Sequence, residues 1–420
     1  MSKIKMLVQI PRGTKDIIPK EIASWQELEK KSREVFSLYN YYEIRTPIFE
    51  NISLFKRSLG DTTEIVQKQM FVLKQGKDQL VLRPEATASI ARSYLENNLG
   101  FGTKLRKLFY IGPMFRAERP QKGRLRQFHH IGAEAIGSFS PSLDIEIIEL
   151  ADFLLKSLKI SNYKILINSL GCHNDKMKFA RLLKEAVGQN KKKLCKDCQN
   201  RFSKNIFRVL DCKNEQCKKI VDLLEFNHSY LCDSCKSNFE IVVLGLKKFN
   251  IDFIIKEQLV RGLDYYSGIV FEVTHPNLGA QDALGAGGRY DYLFKELSNT
   301  EIGAAGFAFG EERLLLASLL DCPAQSLPVY IISLGQKAAS VGLELARKIR
   351  ASGVRCDFDF SEGSLKSKLK EANKLESEYV IIIGDDEINK GRCTFKYMKE
   401  NKQEEVEFAN LVNHLKAKIS

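Results

Sequence analysis

The segment from Phe109 to Gly137, FYIGPMFRAERPQKGRLRQFHHIGAEAIG, limits the folds open to this chain more than any other. Strand-like apolar stretches flank a turn at Lys122 and Gly123, which predicts an antiparallel hairpin. Arg116, Arg119, Arg124 and Arg126 crowd its tip within eleven residues. Guanidinium groups at that density suit a phosphate clamp, with Phe128 able to stack on a base. The alternative is a solvated surface hairpin whose charges do little. Short β-rich runs recur at Gln79–Leu82, Lys107–Ile111, Ile269–Val273 and the glycine-studded Gly303–Gly310. Strands with few helices between them favour an antiparallel or mixed sheet over a βαβ repeat.

Around this sheet the chain changes character twice. Glu21 to Tyr39 has helical spacing about Trp25, Leu28 and Val35. Residues 171–248 are lysine-rich, read as helical and hold Cys172, Cys195, Cys198, Cys212, Cys217, Cys232 and Cys235. Lys191, Lys192, Lys193, Lys196, Arg201, Lys204, Arg208, Lys213, Lys218 and Lys219 face only Asp197, Asp211 and Glu215 there. This reads as an inserted module with a basic face; a solvated lysine face that touches nothing is the competing reading. After a helix at Glu311–Leu320 and a Pro-containing break at Cys322–Pro328, a βαβ pattern begins. Val329–Leu334, Val354–Phe358 and Tyr379–Ile383 are strands, separated by a helix ending at Gly353 and another over Ser364–Leu375. The expected parts are therefore 1–170, the insertion 171–248, 249–321, and an α/β domain 328–420 of ordinary size.

Charge and composition narrow the partners. With 65 Lys+Arg against 52 Asp+Glu, the chain carries +13, an excess that favours a polyanion through counterion release. Basic proteins that bind no nucleic acid are the alternative. At 44% hydrophobic and 28% charged residues the composition is that of a folded chain, not a disordered one. No run approaches the roughly 20 apolar residues of a membrane helix. The opening MSKIKMLVQIPRGTKDIIP carries neither a secretory nor an import pattern, so the cytoplasm is expected. Ten cysteines in such a compartment should be reduced, and bind metal or pack.

Three further segments carry chemistry. Leu82-Arg83-Pro84-Glu85-Ala86-Thr87 offers a carboxylate and a hydroxyl on a rigid turn, suited to a ligand ammonium or imidazole. A helix N-cap at Thr87 accounts for the same residues. Leu259-Val260-Arg261-Gly262-Leu263-Asp264-Tyr265-Tyr266 makes a pocket wall, and Gly285-Ala286-Gly287-Gly288-Arg289-Tyr290-Asp291 allows close backbone approach to a ligand. Gly303 to Leu314 passes from strand to helix through Gly310 and puts Arg313 in the first helical turn.

Together with Arg12-Gly13-Thr14-Lys15-Asp16 and Pro19, these segments in this order resemble the motif set of histidyl-tRNA synthetases, which are class II aminoacyl-tRNA synthetases. The hairpin resembles class motif 2, Gly310-Glu311-Glu312-Arg313 motif 3, and Arg45-Thr46-Pro47 motif 1, which lies at the dimer interface in the class. Arg261 to Tyr266 resembles the piece particular to the histidine enzymes. The resemblance covers essentially the whole chain. It implies an α+β fold: a catalytic domain on a mixed, mainly antiparallel sheet, a helical insertion, and a C-terminal α/β anticodon-binding domain.

Roles follow by position. The resemblance implies that Arg116 holds the ATP α-phosphate, Glu118 the adenine amino group, Phe128 the adenine face and Arg313 the γ-phosphate of a bent ATP. Glu85, Ala86, Thr87, His130, Glu134, Tyr265 and Tyr266 would surround L-histidine. Arg261, with Arg116, would serve catalysis by stabilising charge at the α-phosphate. Gln121 and Arg124 would approach the tRNA acceptor end. ATP would arrive with Mg²⁺, and the protein would be a homodimer that engages histidine tRNA and no membrane. One departure is His130, where the family has glutamine; a neutral imidazole accepts only one hydrogen bond.

The cysteines suggest a metal. Cys195-x-x-Cys198 and Cys232-x-x-Cys235 have the spacing of a structural Zn²⁺ site, with Cys212-x4-Cys217 between them. Reduced cysteines packed between helices are the alternative, and zinc is no general requirement of the resembled family. Cys172, Cys322, Cys356 and Cys393 read as packing residues. Of the competing functions, a non-catalytic histidine-sensing paralogue predicts loss of the ATP arginines and the C-terminal domain. A basic RNA-binding protein leaves the ordered motifs unexplained. ATP-dependent ligation of histidine to its tRNA accounts for all of them.

Overall fold

A computed structural model describes residues 8–419 apart from 62, 122, 213, 225, 280, 281, 321–326 and 401. Lys122 of the hairpin turn, Lys213, Cys322 and most of the Pro-containing break therefore lie outside the described residues, as do the first seven. The chain divides into two compact units, Met1–Cys322 and Pro323–Ser420.

The first unit opens with α1 (Pro19–Leu38), which starts on Pro19 at its first turn and buries Trp25, Leu28, Val35 and Phe36. Next come β1 (Tyr42–Glu43), β2 (Phe49–Asn51), α2 (Ile52–Leu59), β3 (Phe71–Gln75), β4 (Asp78–Leu82) and α3 (Thr87–Glu96). The predicted hairpin is β5 (Arg106–Phe115) and β6 (Gln127–Ile136), antiparallel from Arg106 opposite Ile136 to Phe115 opposite Gln127. After α4 (Pro141–Ser157) and β7 (Lys164–Ser169) comes the helical stretch: α5 (His173–Gly188), α6 (Lys196–Lys204), α7 (Phe207–Leu210), α8 (Glu215–Asp222) and α9 (Asp233–Lys248). β8 (Phe253–Ile255), β9 (Ser267–Thr274), β10 (Ala283–Arg289), α10 (Tyr292–Ser298), β11 (Ala304–Gly310) and α11 (Glu311–Ala317) complete the unit. The last helix is three residues shorter than the spacing predicts, because Ser318 turns to extended backbone.

The main sheet has the order β1-β5-β6-β11-β10-β9-β7-β8. Its centre is antiparallel, and only the flanking β1–β5 and β7–β8 pairs are parallel. This is the mixed, mainly antiparallel sheet expected. Side chains alternate between its two faces. Phe109, Ile131, Ala133, Phe271, Phe307 and Phe309 point to one face and form a single core with α1, α4 and α9. The other face carries the cleft described below. β2, β4 and β3 form a separate small antiparallel sheet.

In the second unit β12 (Val329–Ser333), β13 (Cys356–Phe358) and β14 (Tyr379–Ile383) run parallel, and β15 (Arg392–Tyr397) and β16 (Lys402–Glu407) extend the sheet antiparallel. α12 (Gln336–Ala351), α13 (Leu365–Lys374), α14 (Asp385–Lys390) and α15 (Leu411–Ile419) accompany it. Every residue of β12 is buried, as a strand covered on both faces requires. Cys356 and Cys393 are buried in its core, matching their reading as packing residues.

A buried ion pair locks the end of β10 to the start of α4. Arg289 Nε donates to Asp144 at 3.0 and 3.1 Å, and its Nη atoms donate to the Ser138 and Ser140 carbonyls and to Asp291. Burial still pushes the Asp144 carboxyl up to about 6, against the pull of Arg289. Removing the cation strands that carboxylate in the interior. Arg289→Leu should therefore lower unfolding free energy at pH 8 by about 3–5 kcal/mol in urea titrations; a loss under about 1 kcal/mol would contradict this account.

Candidate active site

The floor of the cleft is set by strand register. Tyr110, Gly132, Ala308, Ala286 and Glu272 lie side by side across five strands, and Leu108, Glu134, Gly306, Gly288 and Val270 form the next row. The middle of each row is glycine or alanine, so the sheet is bare there. No larger residue fits at Gly306: a Cβ would come 1.9 Å from Glu134 Oε2. The resulting cleft is open to solvent at its mouth and holds about 1010 Å³ of empty space when that mouth is included.

Residues from motifs 2 and 3, the Glu85 turn, the Arg261 segment and the glycine-rich strand line it, and those of 12–16 and motif 1 do not. Arg116, Glu118, Arg124, Phe128, His130 and Glu134 come from the hairpin, Glu85 and Thr87 from the β4–α3 turn, Arg261, Tyr265 and Tyr266 from the loop before β9, and Arg313 from the first turn of α11. Each arginine is braced. Arg116 Nε donates to the Pro84 carbonyl at 2.9 Å, and its guanidinium sits 5.3 Å from the centre of the Phe128 ring. Arg261 pairs with Glu272. Arg313 donates to the carbonyls of Gly123 at 3.1 Å and Ala283 at 2.5 Å. Ala86 is buried behind the turn rather than on the cleft. Gln121 is exposed, exchanging backbone hydrogen bonds with Arg124 across the hairpin tip. The Arg124 side chain pairs with Glu118 at 2.8 Å.

Carboxylates gather at the closed end. Glu85 accepts the Thr87 and Ala88 N–H groups at 2.7 and 3.0 Å, so Glu85, and not Thr87, serves the N-terminus of α3. Thr87 Oγ1 is thereby left to contact Glu134 Oε1 at 2.6 Å, while the Tyr290 hydroxyl meets Glu134 Oε2 at 2.5 Å. Burial pushes Glu134 up to about 8, and the charge of Glu85 adds to it, against the two hydroxyls. His130 is driven the other way: burial, then Arg116 and Arg83, hold its imidazole well below the usual histidine range and neutral. Among the described residues, Tyr110 Oη, His130 Nδ1 and Arg261 Nε are buried polar atoms without a protein partner, and their residues all line this cleft. Tyr110, Tyr290 and Glu272 had no role in the sequence reading. The signal for Tyr110 and Glu272 was present as period-two alternation along β5 and β9, once the register was known.

The sulfur ligands regroup. Cys195, Cys198, Cys232 and Cys235 do not meet. Cys195 and Cys198 gather with Cys212 and Cys217, whose sulfurs all lie within 4.8 Å of one another. Cys232 and Cys235 gather instead with Cys172 and Asp175. Cys172, read as a packing residue, thus stands among candidate metal ligands. The split arises because α6 lies inside the helical stretch beside α7 and α8, whereas α9 ends the stretch and starts beside the first turn of α5.

An antiparallel sheet bearing an arginine hairpin, with an arginine entering from a strand-to-helix turn, defines a class II aminoacyl-tRNA synthetase. A family model described as histidyl-tRNA synthetase matches residues 13–314, and one described as anticodon binding domain matches 328–418. The chain is 43% identical to the histidine–tRNA ligase of Halothermothrix orenii over 98% of this chain and 99% of that one. It is 43% identical to that of Clostridioides difficile over 99% and 100%. The crystal structure of apo S. aureus histidyl-tRNA synthetase superposes with a TM-score of 0.80 at 32% identity, covering 98% of this chain and 100% of that one. The chain belongs to the histidyl-tRNA synthetase family.

Glu134 gives a pH test of the closed end. With its folded pKa raised from 4.5 to about 8, the protonated form stabilises the fold fully below pH 4.5. That contribution falls as pH rises to about 8 and is then gone. Glu134→Gln lacks the dependence, so the thermal midpoint of the variant minus that of the parent should climb from pH 5 to 8 and level off above. A difference that stays constant from pH 5 to 9 would count against a buried neutral Glu134.

Proposed function

We propose that this cleft activates L-histidine with ATP and passes it to histidine tRNA through histidyl-adenylate. The observation that carries the reading is that Arg116, Arg261 and Arg313, from three distant parts of the chain, line one cavity whose closed end holds Glu85 and Glu134. A histidine carboxylate oxygen attacks the α-phosphorus and pyrophosphate leaves. A ribose hydroxyl at the tRNA terminus then attacks the acyl carbon, and AMP leaves. Neither step needs strong proton chemistry; both need alignment and charge stabilisation.

Arg116 and Arg261 serve the α-phosphate, and Arg313 serves the γ-phosphate of a bent ATP. Phe128 covers adenine, and Glu118 receives its amino group after releasing Arg124. Mg²⁺ enters with the nucleotide on phosphate oxygens. Thr87, Glu85, Glu134, Tyr265 and Tyr266 enclose histidine, whose cationic groups draw Glu134 to its ionised form. Neutral His130 offers one acceptor and one donor to the same substrate. Ala86 shapes this pocket from behind, through the backbone of the turn.

Gln121 and Arg124 at the hairpin tip meet the acceptor end of tRNA, and the exposed Lys191, Lys192, Lys193 and Lys196 run toward its stem. Arg201 and Arg208 lie within 4 Å of Glu64 and are less available for that contact. A second copy of the chain covers the exposed apolar Phe49, Val72 and Leu73 of the small sheet and neighbouring Tyr42 and Ile48, close to motif 1. Cys195, Cys198, Cys212 and Cys217 would hold a structural Zn²⁺, since their four sulfurs lie within 4.8 Å of one another and make the donor set of such a site. Among the described residues no helix is long and apolar enough to cross a membrane, and the cytoplasm is the compartment that fits this work.

The test is histidine-dependent exchange of pyrophosphate into ATP. The parent should exchange with histidine alone among amino acids, and Arg261→Ala should cut the rate at least about 100-fold with little change in thermal midpoint. Near-normal exchange by that variant would remove Arg261 from the reaction.

A further inference from the structure

The second cysteine group is built on the same plan as the first. In the first, Cys195 caps α6 and Cys198 lies three residues on, while Cys217 occupies the third position of α8. In the second, Cys172 caps α5 with Asp175 three residues on, and Cys232 caps α9 with Cys235 three residues on. Two helix N-termini thus converge on four donor atoms that all lie within 4.8 Å of one another. Three sulfurs and a carboxylate oxygen at that mutual distance match the number and kind of donors that a single metal ion takes.

The surroundings hold the donors in place. Asp175 accepts the Cys232 N–H on Oδ1 at 3.0 Å and the Cys172 N–H on Oδ2 at 3.3 Å, which orients the carboxylate and leaves each oxygen a further lone pair. Gly171 turns the chain into the site at φ +68°; a Cβ there would lie 2.5 Å from Asp175 Cβ and 2.7 Å from its Oδ2. Cys172, Cys232 and Cys235 are only partly buried, and Cys172 and Cys235 line a surface cleft that gives an ion a way in.

We propose that Cys172, Asp175, Cys232 and Cys235 bind a second Zn²⁺, independent of the tetracysteine site. Three thiolates and one carboxylate are a closed tetrahedral donor set of the structural kind. Its place in the fold gives the ion a mechanical task. Cys172 follows β7 where the helical stretch leaves the sheet, and Cys232 opens α9, whose Phe239, Val242 and Leu246 bring the chain back into the main core. The ion closes the two ends of the insertion on each other. One residue beyond Asp175, Lys176 donates to the carbonyls of Asp264 at 2.8 Å and Tyr266 at 2.9 Å, so the stapled end also bears on the loop that carries Arg261, Tyr265 and Tyr266. The inference extends the proposed zinc of the insertion from one ion to two.

The test is metal content of the purified full-length chain after dialysis against metal-free buffer. Two zinc equivalents per chain are expected, falling to one in Asp175→Asn and in Cys232→Ser, and to one in Cys198→Ser. In the cobalt-substituted parent, thiolate charge-transfer absorption should correspond to seven sulfurs, and in Cys198→Ser to three. One equivalent that disappears in Cys198→Ser and survives in Asp175→Asn overturns the second site while the tetracysteine site stands. No zinc at all removes both. Should Asp175→Asn fail to fold, the stoichiometry of the parent decides: two equivalents support the proposal, and one or none refutes it.

Discussion

The cleft depends on one carboxyl group buried in the middle of the sheet. Glu134 lies on β6 between Leu108 and Gly306, 1% exposed, and its two oxygens contact Thr87 from the β4–α3 turn and Tyr290 from the end of β10. Three distant stretches of chain are therefore positioned by a single group. Burying a carboxylate with no cation beside it is costly, and the group responds by holding its proton. The arrangement also dictates its neighbours. Gly306 has to be glycine because the carboxyl occupies the space of its side chain, and the small residues of β10 and β11 keep the floor open.

Against that closed end the cations are fixed before any ligand arrives. Arg116 is tethered to Pro84, Arg261 to Glu272 and Arg313 to Gly123 and Ala283. Braces of this kind reduce the reorganisation needed when negative charge develops, which is where electrostatic catalysis gains most. The Arg313 brace to Gly123 also joins motif 3 to the turn of the hairpin, so the nucleotide wall is one connected structure. The opposite face of the sheet, filled by Phe109, Phe271, Phe307 and Phe309, provides the rigid backing.

Much of this was legible in the text of the chain. The hairpin announced itself by two apolar runs about a basic turn, and the βαβ pattern of the second unit by its buried strands and capped helices. Family motifs located the cleft residues. What could not be read depends on tertiary register. Tyr110 and Glu272 belong to the floor because β5, β6, β11, β10 and β9 align one row, which no local pattern specifies. Glu85 looked like a ligand beside a helix cap and turns out to accept the helix N–H groups itself. Spacing alone does not determine which cysteines meet. The fourth member of the second group is Asp175, which belongs to no CxxC pair, and the path of α5 to α9 decides which pairs meet.

The central claim is that Arg116, Arg261 and Arg313 meet around one triphosphate. A crystal structure of the chain with histidine and a non-hydrolysable ATP analogue tests it directly. The account predicts phosphate oxygens within hydrogen-bonding distance of all three guanidinium groups, with the imidazole of the amino acid toward Glu134. A nucleotide bound elsewhere, or in this cleft with any of the three arginines turned away from its phosphates, would contradict it.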